Sequence, residues 1–143
     1  MDDLQTAAGA PQPGPWPATT TTVTVPAHAD FVASIRALVR STAVVADLAF
    51  EDVEELQIAV NEAAALLLPV VTPTEPTLSA RLDVVPGQLQ VRLSVAGRDG
   101  AGVDRGSLAW MMLSTLSPDL QVDEVDGVHA IALSRTRSEK PRA

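Results

Sequence analysis

Glu62 stands in the middle of an apolar run, LQIAVNEAAALLL over residues 56–68, where a carboxylate has either a partner or a task. A carboxylate held in such a place can act as a general base. On a helix its helper would lie one turn on, because side chains at i and i+4 stand over each other. That position is Leu66, a hydrocarbon. Asn61 is polar, but a residue one position earlier points about 100° away around a helix. Two readings of Glu62 follow: a relic of a catalytic base, or a glutamate that is exposed or satisfied structurally.

A second candidate is the loop GRDGAGVDRG over residues 97–106, whose Asp99, Gly100, Gly102 and Gly106 have the composition of a phosphate- or nucleotide-binding loop. The same composition serves as a flexible turn between strand and helix. Arg36 and Arg40 are one helical turn apart, either a patch for a partner or a solvated face. For a serine nucleophile no histidine and acid stand in a recognisable arrangement.

The absence of cysteine removes disulfides and thiolate metal sites, and His28 and His129 are too far apart in sequence to suggest a transition-metal site, so no metal centre is expected. The 143 residues, 46% apolar, suffice for one ordinary domain with a core. A formal charge of −8 disfavours contact with phosphate backbones and suits a basic protein partner better. The acidic start MDDLQ is unlike a secretory signal, and no apolar run reaches spanning length, so a cytoplasmic protein without membrane attachment is expected.

These groups have to be positioned by a scaffold. Residues 1–18, with Pro11, Pro13, Pro15 and Pro17 at every second place, read as a disordered tail, residues 19–135 as the domain, and residues 136–143 as a second tail. TTTTVTVPA predicts a strand with Val23 and Val25 inward. The following segment predicts a helix buried through Phe31, Ile35, Leu38 and Val39. A second helix opens at Glu51 or Asp52, buries Val53, Leu56, Val60, Ala63 and Leu67, and stops at Pro69 and Pro73.

Turning TLSARLDVVPGQLQVRLSV on Pro86 and Gly87 pairs Val84 with Leu89, Leu82 with Val91, Ala80 with Leu93 and Leu78 with Val95, which puts every apolar residue on one face. Ser107 can cap a third helix, LAWMMLSTL, with Met111 and Met112 beside Trp110 read as core. A last hairpin turns on Asp126 and Gly127, setting Leu120 opposite Leu133, Val122 opposite Ile131 and His129 opposite Glu124. The predicted fold is α/β (α+β): a two-layer sandwich whose mixed, mostly antiparallel sheet carries helices on one face.

VPAHADFVASIRALV, FEDVEELQIAVNEAAALLL, a D-G-x-G loop, a helix and a final hairpin, in that order over roughly residues 20–135, resemble the RsbW-type anti-sigma factors of the GHKL (histidine-kinase-like, Bergerat fold) ATPase superfamily. The resemblance implies a protein that binds an alternative sigma factor, usually as a homodimer, and releases it to a STAS-type anti-anti-sigma factor. Many such proteins also use ATP and magnesium to phosphorylate that antagonist on serine. In the family a helix offers E-x-x-x-N; Glu62 matches the glutamate base, while Leu66 takes the place of the magnesium-ligating asparagine and cannot serve a cation that demands oxygen.

The family's adenine-binding aspartate falls on Arg98 when Gly100 and Gly102 are aligned with the family glycines, and arginine has only donors to offer. Asp99 is adjacent. A phosphate-covering lid has only Val103, Asp104 and Arg105 to form it before Gly106. The resemblance therefore implies an anti-sigma factor with a degenerate ATP site and no cofactor. Its alternatives are an ATP-dependent serine/threonine kinase of the anti-anti-sigma factor, with Glu62 as base, and a dimerising scaffold without a sigma partner.

Overall fold

The structure, a computed structural model, describes residues 19–138. The expected N-terminal tail, residues 1–18, lies outside them. Among the described residues β1 (Thr19–Pro26) is followed by α1 (Ala29–Val45), α2 (Phe50–Leu67), β2 (Thr77–Val85), β3 (Gln88–Ala96), α3 (Leu108–Leu116), β4 (Gln121–Val125) and β5 (Val128–Thr136). The five strands form one sheet in the order β1-β2-β3-β5-β4, every neighbouring pair antiparallel.

The β2–β3 register is the one that alternation predicts: Val84 faces Leu89, Leu82 faces Val91, Ala80 faces Leu93 and Leu78 faces Val95. Gly87 takes φ +76° in the turn, a conformation free of cost only for glycine. Asp126 and Gly127 both have positive φ, as a two-residue hairpin turn requires, and set Val122 against Ile131 and Glu124 against His129. Leu120 stays outside this ladder, its N–H donating to Ser117 O in the turn before β4.

The helices cover one face. From the sheet, Leu78, Leu82, Leu89, Leu93 and Ile131 are wholly buried, and from above Ile35, Val39, Leu56, Val60 and Leu67 meet them. Each such side chain contributes roughly 1.5–3 kcal/mol of transfer free energy. The predicted α2 stripe is buried, and Asp52, Ala59, Ala64 and Leu66 join it, Leu66 at 3% exposure. A short 3₁₀ turn, Leu68–Val70, ends the helix around Pro69.

Three expectations are corrected. On α1 the buried residues are Val32, Ile35, Val39 and Ala43, while Phe31 is 42% exposed because it lies on the flank away from α2. On α3 only Leu113 is buried; Met111 and Met112 face solvent with Leu108, because a helix of nine residues beside α2 has only one side to bury. The chain does not leave the domain at residue 135. β5 runs to Thr136, Arg137 N–H donates to Gly87 O, and Ser138 docks on α2.

Candidate functional site

Leu66 is core. Its 3% exposure, on a helix face shared with Ala59 and Ala63, puts hydrocarbon where the resemblance would place a metal ligand. Glu62 is half-buried beside it and lines a shallow hollow of about 400 Å³ with Arg36, Glu54, Gln57, Ile58 and Asn61. None of Asp99, Gly100, Gly102 or Gly106 lines that hollow.

Arg36 and Arg40 are spent at the seam between α1 and α2. Arg36 Nη1 donates to Asn61 Oδ1 at 2.8 Å, and Arg40 Nη1 to Glu54 Oε2 and Gln57 Oε1, both at 2.9 Å. Gln57 Nε2 returns a bond to Arg36 O. Asn61, which offers Glu62 no help in the sequence, thus holds Arg36 instead.

The loop after β3 is tied down at its start. Arg98 N–H donates to Val70 O, and its Nη2 to Pro69 O at 2.6 Å, so the guanidinium is fastened to the 3₁₀ turn that follows α2. Asp99 is exposed. Gly100 takes φ +77°, which explains a glycine there. Around Gly102 a Cβ would meet nothing, and at Gly106 it would meet only Asp104 Oδ1 at ordinary contact distance, so neither position demands glycine.

Free amides at the start of a helix can hold an anion. Here Ser107 Oγ takes one of them, Trp110 N–H, and Asp104 accepts from Gly106 N–H at 2.9 Å in the turn just before the cap. Arg105 stacks over the Trp110 ring, 4.7 Å from its centroid. Three residues between Gly102 and Gly106 leave no lid over this surface. Leu66 offers no oxygen to a cation, and Arg98 and Asp104 already hold Pro69 O and Gly106 N–H.

Two buried clusters go beyond what the sequence predicts. His129, on the inward phase of β5 with Ile131, Leu133 and Arg135, is 4% exposed; its Nε2 lies 3.6 Å from Glu124 Oε2 and accepts or donates no hydrogen bond among the described residues. Further along the strand, Arg135 reaches Asp52 Oδ1 through Nε (3.1 Å), Leu116 O through Nη1 (3.3 Å) and Glu55 through Nη2. Ser138 donates to Asp52 from both N–H (2.9 Å) and hydroxyl (2.7 Å). Burial is the largest single influence on Asp52 and raises its pKa, but the Ser138 and Arg135 bonds together outweigh it and hold the carboxyl below its ordinary value. Alternation along β5 is the available signal for both clusters, since a strand that buries Ile131 and Leu133 turns 129 and 135 toward the same face.

The same architecture occurs among solved structures. The chain superposes on the crystal structure of the RsbU and RsbW domains of Rv1364c from Mycobacterium tuberculosis with a TM-score of 0.62 and 16% sequence identity, over 86% of this chain and 33% of that one. The fold is RsbW-like. This chain spans about a third of the length of that protein chain, and at such identity the likeness extends to the fold alone. No protein-family model and no curated protein sequence matches it. No helix among the described residues is long and apolar enough to cross a membrane.

Proposed function

We propose that this RsbW-like chain is an anti-sigma factor that sequesters an alternative sigma factor in the cytoplasm and yields it to an anti-anti-sigma partner, without ATP or magnesium. The observation that carries the binding half of this reading is α3: Leu108 is 66% and Met111 57% exposed, and apolar surface of this kind, next to polar residues, is what protein partners cover. The half that concerns lost catalysis rests on Leu66 in the core and on the missing lid. Positioning and charge stabilisation make up most of phosphoryl-transfer catalysis, so a site lacking both metal ligand and cover retains little of it.

Acidic charge supports the same reading. A sigma factor must present basic surfaces to nucleic acid, and a partner with net charge −8 is steered toward such surfaces and can occupy them. Release then needs no covalent step, because an antagonist that binds more tightly takes the chain by mass action.

The test is a transcription assay with the chain added to RNA polymerase and each alternative sigma factor of the host cell, paired with copurification. Stoichiometric inhibition of one sigma factor is expected, and failure to bind any of them overturns the proposal. Calorimetry with ATP and magnesium separates a pure binder from a kinase. Silence supports the binder, and submillimolar, metal-dependent binding supports a kinase with Glu62 as base.

A further inference from the structure

The outer face of α3 is built largely from thioethers. Leu108, Met111, Met112 and Thr115 stand at i, i+3, i+4 and i+7, one face of a helix, and all four are exposed. The helix carries no charged residue, and two of its hydroxyls turn back on its own backbone: Ser114 Oγ donates to Trp110 O at 2.7 Å and Thr115 Oγ1 to Met111 O at 2.8 Å. Two of the three large apolar side chains on this face are therefore methionines, 57% and 37% exposed. The chain has three methionines and no cysteine. Met111 and Met112 are thus the sulfurs that solvent reaches among the described residues, Met1 lying outside them.

The helix does not depend on these two side chains for its place. Leu113 is wholly buried, Ser107 Oγ caps Trp110 N–H at one end, and Arg135 Nη1 holds Leu116 O at the other. A chemical change at positions 111 and 112 is therefore felt by whatever covers α3 and not by the fold.

We propose that Met111 and Met112 are a modification site for hydrogen peroxide, and that their oxidation releases the partner held on α3. The inference rests on α3 being the surface that grips the sigma factor. The thioether sulfur attacks one peroxide oxygen; an S–O bond forms as the O–O bond breaks, sulfur gives up two electrons, and the other oxygen leaves as water. The product, methionine sulfoxide, is polar where the thioether was apolar. Against an apolar partner surface its oxygen is a buried acceptor without a donor, which costs free energy as any unsatisfied polar group does. In the free chain the same oxygen stays in water, so the penalty falls on the complex alone. Restoration needs a sulfoxide reductase and an external dithiol, which becomes a disulfide as the oxygen leaves in water, because the chain has no thiol of its own.

The test is the affinity of the full chain for the sigma factor it inhibits, measured before and after treatment with hydrogen peroxide. Peptide mass spectrometry is expected to place one added oxygen on each of Met111 and Met112, with the melting temperature of the free chain unchanged. Affinity should fall by about tenfold or more and return after treatment with methionine sulfoxide reductase and a dithiol. The double variant Met111→Leu, Met112→Leu keeps an apolar face and retains Met1, so it should bind as the parent does and hold its affinity in peroxide. An oxidised parent that binds as tightly as before overturns the proposal. So does a double variant that peroxide weakens as much as the parent, or a parent that loses affinity only by unfolding. A chain that binds no sigma factor before peroxide is added overturns the function proposed above and this inference with it.

Discussion

Gly97 and His129 share one space: a Cβ on Gly97 would fall inside the van der Waals radii of His129 Cδ2 and Nε2. The ring cannot yield, being buried under the loop, and Gly97 cannot retreat, since it is bridged to Val71 and its N–H donates to Gly127 O. Gly97→Ala therefore costs about 2 kcal/mol by overpacking. Replacing His129 by Ala in the same chain makes room and recovers most of that loss. Denaturant unfolding of the two single variants and the double variant measures the coupling; additive losses would show that the two residues do not compete for space.

Asp52 anchors the C-terminal end of β5 to α2, and its ionisation should be visible in stability. Its folded pKa is lowered, so its contribution is complete above the unfolded carboxylate pKa and is lost as pH falls through the folded value. Asp52→Asn is expected to cost about 2 kcal/mol at neutral pH, since hydrogen bonds to a charged acceptor are replaced by weaker ones. Below the folded pKa the gap between parent and variant should close. A gap that persists unchanged in strong acid would mean that the carboxylate is not the stabilising form.

How much of this can be read in the sequence depends on whether the controlling interaction is local. Residues 78–95 are legible pair by pair, because a glycine turn fixes the register and a one-residue slip would expose every apolar side chain. On α1 periodicity places Ile35 and Val39 in the core as observed but takes Phe31 and Leu38 in place of Val32 and Ala43. Phe31, Leu38 and Val45 compete with Val32, Ile35, Val39 and Ala43 for the inner face, and hydrophobicity alone favours the larger phenylalanine over Val32.

α3 holds no facial signal at all, since LAWMMLSTL is apolar nearly all round and its burial is decided by what packs on it. The bonds from Asp52 to Arg135 and Ser138 span 83 and 86 residues, beyond any periodic pattern. At the candidate site the sequence shows which side chain stands at position 66. It does not show that Arg98 is fastened to Pro69, or that Asp104 holds Gly106 N–H before the cap.

Leu66→Asn tests whether the family's metal-binding pattern, restored at one position, brings ATP binding with it. The asparagine amide would enter a core position without a designed partner, and the lost packing and unsatisfied polar group cost about 3 kcal/mol. No metal-dependent ATP binding is expected in return, because Arg98 remains tied to Pro69 O and the loop before Gly106 remains too short to cover phosphates. Unfolding and calorimetry on one preparation give both answers. Submillimolar ATP affinity in this variant would show that the pocket's shell is intact and that Leu66 alone silences it.

Met111 offers the cleanest separation of binding from folding. More than half of its surface is exposed, and Leu113, two residues on, carries the helix's burial. Met111→Glu should change stability by no more than about 0.5 kcal/mol, the usual range for a surface position away from caps and cores. If α3 is the surface that grips the sigma factor, a buried charge at its centre should weaken that complex by about tenfold or more, a loss of at least about 1.4 kcal/mol. Titration of the variant into the sigma factor that the parent chain inhibits measures this directly. Unchanged affinity would move the binding surface off α3 and leave its exposed methionines without a role.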